Sequence, residues 1–183
     1  MINRIAENAL KRLASQFPVV GITGPRQSGK STLAKMTFPN KHYLSFDDKT
    51  LREIASSNPK DFLLAFPDGA IIDEAQKVPE IFDAVKYYVD SEKSEPGKYI
   101  LTGSSQFKLK ENMSDSLAGR VAFLKLLPFT IEELKSNKIL AKNPYEAMIK
   151  GNYPPLHDVR RNFIPEDWFE NYIETYLDLD VKE

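Results

Sequence analysis

Cysteine is absent from the 183 residues. Neither a disulfide framework nor thiolate redox chemistry is open to the chain, and the composition fits a reducing cytoplasm. Histidine is almost as scarce. His42 and His157 stand far apart with no ligand-like spacing around either, which argues against a structural zinc site and places both in surface or loop positions. No apolar run reaches the length of a membrane helix, and the opening Met1 to Leu13 mixes charged and apolar residues at helical spacing where a leader would be continuously apolar. No membrane partner is expected, and the expected location is cytoplasmic. An excess of charge is missing too: 25 Lys and Arg against 26 Asp and Glu leave a formal net charge of -1. That is an ordinary soluble surface, not one dedicated to a polyanion. Internal repeats and low-complexity tracts are also lacking.

With 42% hydrophobic residues, the chain can bury one sizeable core, and one compact unit with a helical tail is expected. Its most informative stretch is Gly24 to Thr32, GPRQSGKST, which fits G-x-x-x-x-G-K-[ST] without a mismatch. Gly24 and Gly29 let the main chain wrap closely round a polyphosphate and turn its amides inward. Lys30 can reach the β and γ phosphates, Ser31 can offer a hydroxyl to Mg²⁺, and the following helix aims its positive end at the anion. That helix is predicted over 29–38, stopped by Pro39. The run from Pro18 to Thr23 before it has the β-branched character of a buried parallel strand. The competing reading is a strand-to-helix turn that is merely glycine-rich.

A helix over 2–16 is predicted from Ile5, Leu10 and Leu13 at near-helical intervals. His42 to Phe46 reads as a strand ending in Asp47-Asp48, either ligand-edge acids or, for Asp48, the cap of a helix over 49–56. Asn58 and Pro59 open a further helix, and Pro67-Asp68-Gly69 makes a turn. Ala70 to Ile72 is a buried strand that delivers Asp73 and Glu74 to the ligand edge. There Asp73 is placed to hold Mg²⁺ through its water shell, and Glu74 to orient and partly deprotonate a water attacking the γ phosphate. The alternative is that these acids cap the next helix, over 79–90. Tyr99 to Leu101 is a strand whose polar end, Thr102 to Ser105, either senses the γ phosphate or simply turns the chain. Gln106 to Ser114 is polar and basic with Phe107 interleaved and reads as a solvated loop, the alternative being a mobile loop that contacts a ligand or partner; a short helix over 114–118 that Gly119 ends follows it. Arg120, before a strand over 121–127, either complements the negative end of that helix or enters a neighbouring subunit's site as an arginine finger. Thr130 and Glu133 form a capping box, Asn143-Pro144 open a helix that Gly151 ends, and a long helical pattern runs from Pro165 to Glu183. The face carrying Phe169, Tyr172 and Tyr176 needs a cover, and the Gly151 to Pro155 loop has no evident purpose.

Taken together, GPRQSGKSTL from Gly24, YLSFDD from Tyr43, IIDEAQKVPEIF from Ile71, ILTGSSQ from Ile100, SLAGRV from Ser116, GNYPPL from Gly151 and YIETYLDLDV from Tyr172 resemble prokaryotic AAA-type ATPases. The branch in question carries a C-terminal domain of unknown function within the additional-strand P-loop class. The resemblance implies that Gly24, Pro25, Arg26, Gln27, Ser28, Gly29, Lys30, Ser31 and Thr32 bind the nucleotide, with Lys30 and Ser31 in Walker A. It makes Asp73 and Glu74 Walker B, Thr102 to Ser105 the sensor-one region, and Arg120 the finger of a homo-oligomer. The implied fold is an α/β, three-layer α/β/α P-loop sandwich on a parallel sheet of about five strands, with the phosphate-loop strand between the last two in the chain. Residues 1–135 would be the ATPase core and 136–183 a helical extension leading to a further region. Family members continue past YIETYLDLDV, so a second sensor arginine and a partner-reading surface are expected beyond it.

The implied activity is Mg²⁺-dependent hydrolysis of the β–γ bond of ATP. GTP is disfavoured because Asn40-Lys41 and Asn137-Lys138 both lack the aspartate of a base-reading N-K-x-D. A small-molecule kinase is disfavoured because Glu74 beside Asp73 suits activation of water. From another class stands a nucleotide-gated interaction module that binds ATP with little or no turnover and signals through a further domain, to a protein or DNA partner the sequence does not identify.

Overall fold

The computed structural model describes residues 2–91, 95–104 and 106–177. Ser105 of the expected sensor turn, and residues 178–183 of the expected C-terminal helix, lie outside the described residues. Two compact units are present: Ala6–Gly24 with Lys30–Leu126, and Met1–Ile5 with Pro25–Gly29 and Leu127–Glu183.

The first unit holds five strands, β1 (Val19–Thr23), β2 (His42–Ser45), β3 (Ala70–Asp73), β4 (Tyr99–Thr102) and β5 (Val121–Lys125), all parallel in the order β2-β3-β4-β1-β5. The phosphate-loop strand thus lies between the last two in the chain, as the resemblance implies. Every residue of β1, β3 and β4 is buried, which is why these strands read as short apolar runs without alternation. The pleat still sorts them. Val19, Ile72, Tyr99 and Leu101 join one core with Phe62, Phe82, Val85, Leu109 and Met113, while Val20, Ile22, Ile71 and Ile100 join another with Leu10, Leu33 and Ala34. Helices therefore cover both faces: α1 (Ala6–Ala14) and α2 (Lys30–Thr37) on one, α3 (Lys49–Ser57), α4 (Pro59–Leu64), α5 (Glu80–Ser91) and α6 (Gln106–Ser116) on the other. This is the α/β/α sandwich. Truncating a fully buried residue such as Ile72 or Ile100 to alanine costs about 2–5 kcal/mol in such a core, so these faces fix the sheet firmly.

Several local expectations hold. Asp48 caps α3 by accepting from the N–H of Thr50 and Leu51, and Asn58 caps α4 with Pro59 at its first position. One is overturned: residues 106–116 form a helix where a solvated loop is expected. The reason is Leu109, Met113 and Leu117, spaced by four and wholly buried. They form a narrow stripe that the polar average of the segment conceals. The N-terminal helix begins at Ala6, later than its apolar pattern suggests, because Arg4 and the N–H of Ile5 are committed to Glu133.

The second unit contains α7 (Ile131–Ser136), α8 (Pro144–Lys150) and α9 (Pro165–Tyr172), the last continuing as a wider π turn over Ile173–Leu177. Thr130 and Glu133 form the expected capping box, and Gly151 ends α8 at φ 65°. The aromatic face of α9 has its cover. Tyr153, from the Gly151 to Pro155 loop, sits 5.1 Å from Trp168 and 5.0 Å from Tyr172, and those two rings stack at 4.9 Å. The loop's two prolines open a short 3-10 turn, Pro154–His157, that holds Tyr153 in place.

Candidate active site

Because β1, β3 and β4 run parallel, their carboxyl ends meet at one edge of the sheet, where ligands bind in open α/β folds. β1 delivers Gly24. Its φ of 149°, and a notional Cβ only 2.0 Å from the carbonyl oxygen of Leu126, leave no residue but glycine. The buried Lys30 opens α2 and donates from Nζ to the Gly24 carbonyl at 2.9 Å. An ammonium here is held by main chain at the foot of the loop.

β3 delivers Asp73, whose carboxylate meets three hydroxyls. Ser31 donates to Oδ1 at 2.8 Å, Thr102 from the end of β4 donates to the same oxygen, and Tyr43 from β2 donates to Oδ2 at 2.6 Å. Three hydroxyl donors fit an ionised carboxylate, which accepts only. The Tyr43 phenol is pushed up to about 12, first by burial and then by its bond to Asp73. Its ring also carries the Lys35 ammonium 4.2 Å from the centroid.

No group of three or more His, Asp or Glu side chains gathers among the described residues. Among the described residues, the Ser31 hydroxyl and the Asp73 carboxylate form a pair suited to a hard cation at this edge. Mg²⁺ is commonly held by few protein oxygens, keeping the rest of its shell as water, and this pair fits that habit.

Glu74 follows in the left-handed region, φ 55° and ψ 41°, without capping the turn Ala75–Lys77 after it. A non-glycine residue there stores strain of about 1 kcal/mol or more. Its Oε2 accepts from Gln76 Nε2 at 2.6 Å, Ser104 Oγ at 2.7 Å and Ser104 N at 3.3 Å. Thus Thr102 serves Asp73 and Ser104 serves Glu74. Asp47, the other acid expected at this edge, pairs instead with Lys77.

The middle of the loop, Pro25–Gly29, belongs to the second unit. The Arg26 carbonyl accepts from Tyr172 Oη at 3.1 Å, and the Ser28 carbonyl from Arg4 Nη1 at 2.9 Å. A trans peptide sets its C=O and the next N–H on opposite sides, so the amides of Gln27 and Gly29 face the other way. Gln27 adopts φ 60°. The Arg26 guanidinium lies over the Tyr176 ring at 5.1 Å, which gives this loop arginine a position on the C-terminal helical segment. The Ser28 hydroxyl is buried without a hydrogen-bond partner among the described residues.

Arg120 stands apart from these groups. It precedes β5 and so lies at the amino edge, with its Nη2 3.0 Å from Asp90 Oδ2 and its Nη1 2.9 Å from the Ala118 carbonyl. A five-residue strand, about 17 Å at about 3.3 Å per residue, separates the two edges of the sheet. Within one chain Arg120 does not join Lys30, Asp73 and Glu74. Arg4, Tyr43 and Gln76 are the site-related residues the sequence does not announce. The signals for Gln76 are its place two residues after Glu74 and within the IIDEAQKVPEIF stretch.

Residues 16–135 match a family model described as a AAA domain. The chain belongs to the AAA domain family. An uncharacterised protein of Mycobacterium tuberculosis is 31% identical over 183 residues, 98% of this chain and 40% of its own length. The chain therefore spans about two fifths of the length of the curated relatives it matches. Among solved structures, the Walker-type ATPase of Pyrococcus abyssi superposes with a TM-score of 0.59 at 19% identity, covering 100% of this chain and 74% of that one. Domain III of the replication initiation protein DnaA from Thermotoga maritima gives 0.53 at 19%, covering 93% and 88%. At such identities the likeness is one of fold. It gives this AAA domain the α/β/α fold of P-loop proteins. Among the described residues no helix is long and apolar enough to cross a membrane.

Proposed function

We propose that this AAA domain binds ATP through Gly24 to Thr32 and hydrolyses its β–γ bond. Lys30 neutralises the β and γ phosphates, and the amides of the loop hold them. Ser31 directly, and Asp73 through water, would hold Mg²⁺, which would supply charge neutralisation for the triphosphate. Glu74 accepts a proton from the water that attacks the γ phosphorus in line, and ADP and phosphate leave. Thr102 keeps Asp73 in register by its hydrogen bond. Arg120 acts in trans as a finger on a neighbouring copy's nucleotide, which requires a homo-oligomer. Residues 1–135 form the ATPase core and 136–183 a helical extension.

The observation that carries this reading is the gathering of Lys30, Ser31, Asp73 and Glu74 at one sheet edge, with the two carboxylates held by separate sets of donors. ATP is preferred to GTP because neither Asn-Lys pair is followed by an aspartate at the required spacing. The test is phosphate release measured beside ATP affinity for the wild type and Glu74→Gln. Retained binding with turnover lost, by about a hundredfold or more for a missing general base, supports hydrolysis. Binding without turnover in the wild type would instead make the domain a nucleotide-gated module.

A further inference from the structure

Glu74 is oriented by its neighbours and not by its own main chain. A left-handed backbone imposes no helix or strand rotamer on the side chain, and the following turn takes no cap bond from it. What remains is three donors, Gln76 Nε2, Ser104 Oγ and Ser104 N, all on Oε2. Loading one oxygen in this way leaves Oε1 as the oxygen for a proton in flight.

The Gln76 amide bears a cost in this arrangement. Its Nε2 must face Glu74, since turning the amide over would set its own oxygen against a carboxylate. Its Oε1 is then buried with no hydrogen-bond partner among the described residues, a penalty of the kind native structures seldom keep without use. Space for the amide is reserved as well. A Cβ on Gly103 would stand 2.2 Å from Gln76 Oε1 and 3.2 Å from a Leu109 methyl. The glycine of Thr102-Gly-Ser thus makes room for Gln76, and the serine after it completes the clamp.

We propose that Gln76 and Ser104 are positioning residues for hydrolysis: together they fix the Glu74 carboxylate so that one oxygen is pinned and the other meets the attacking water. This rests on the reading of Glu74 as the base. Because the donors act through Glu74, their loss slows the chemical step and spares ATP binding.

The experiment compares Gln76→Ala, Ser104→Ala and Ser104→Thr in the wild type, and Gln76→Ala also in Glu74→Gln. Each protein is read for single-turnover phosphate release, ATP affinity by calorimetry, and folding by circular dichroism. Expected are kcat losses of about tenfold to a hundredfold for the two alanine variants, the size of a hydrogen bond to a charged group, with ATP affinity unchanged. Ser104→Thr, which keeps the hydroxyl, retains most of the rate. Gln76→Ala adds no loss once Glu74 is Gln. Rates that stay or rise in both alanine variants overturn the positioning, as does an equal loss in the Glu74→Gln background. No turnover in the wild type, or turnover indifferent to Glu74→Gln, removes the base assignment and the proposal with it.

Discussion

Arg4 and Glu133 form an ion pair at 3.0 Å with only 7% and 2% of their side chains exposed. The same guanidinium donates to the carbonyls of Ser28 and Leu127 and lies over the Phe129 ring, while Glu133 also accepts from the N–H of Ile5 and Thr130. Arg4 thereby ties the middle of the phosphate loop to the start of α7. Each side chain of the pair serves several partners, so removing one strands the others.

Arg4→Ala is accordingly expected to destabilise the protein by about 3–5 kcal/mol, the usual penalty for leaving a buried charge unpaired. Urea unfolding followed by tryptophan fluorescence of Trp168 checks this. A loss below about 1 kcal/mol, the range of a solvent-exposed pair, would show that the pair is not shielded as described.

Tyr43 gives a pH dependence with a definite sign. Its phenol is held up to about 12 in the folded protein against 10.0 ordinarily, so between those values the folded chain keeps a proton that the unfolded chain releases. Stability from this group is complete below pH 10 and is lost as the pH rises toward 12. Tyr43→Phe, which cannot ionise, should lack that slope, and the wild-type minus variant difference in tyrosinate absorbance should titrate near 12. A difference titrating near 10 would contradict the burial and the bond to Asp73.

For Arg120 the prediction turns on subunit mixing. Arg120→Ala should bind ATP normally and hydrolyse it more slowly, and mixing it with Lys30→Ala should restore activity. The Lys30 variant lends an intact finger to the other copy's intact nucleotide site. No recovery on mixing, or full activity of a strictly monomeric protein, would remove the finger.

Much of this architecture is legible in the residues, for identifiable reasons. Val19 to Thr23 and Ala70 to Asp73 announce themselves because strands buried on both faces are almost continuously apolar. Asp48, Asn58, Thr130 and Asn143 announce helix starts because capping is local chemistry. Strand order is not local and came through the family resemblance. Four features escaped because their meaning lies in the assembled structure. α6 is disclosed only by a three-residue stripe within a basic segment. Arg4 meets Glu133 across 129 positions. Gln76 meets Glu74 only two positions away, but the room for its amide beside Gly103 exists only once the 75–77 turn and the end of β4 are brought together. Tyr43 likewise looks like a strand aromatic until Asp73 is set beside it.

The central claim is that Gly24 to Thr32 grips a triphosphate. Calorimetric titration with ATP and Mg²⁺ of the wild type and Lys30→Ala tests it most directly. The account predicts a saturable single site in the wild type and affinity weakened by about tenfold or more in the variant, the effect of losing a charged hydrogen-bond donor. Equal affinity in the two proteins would contradict it.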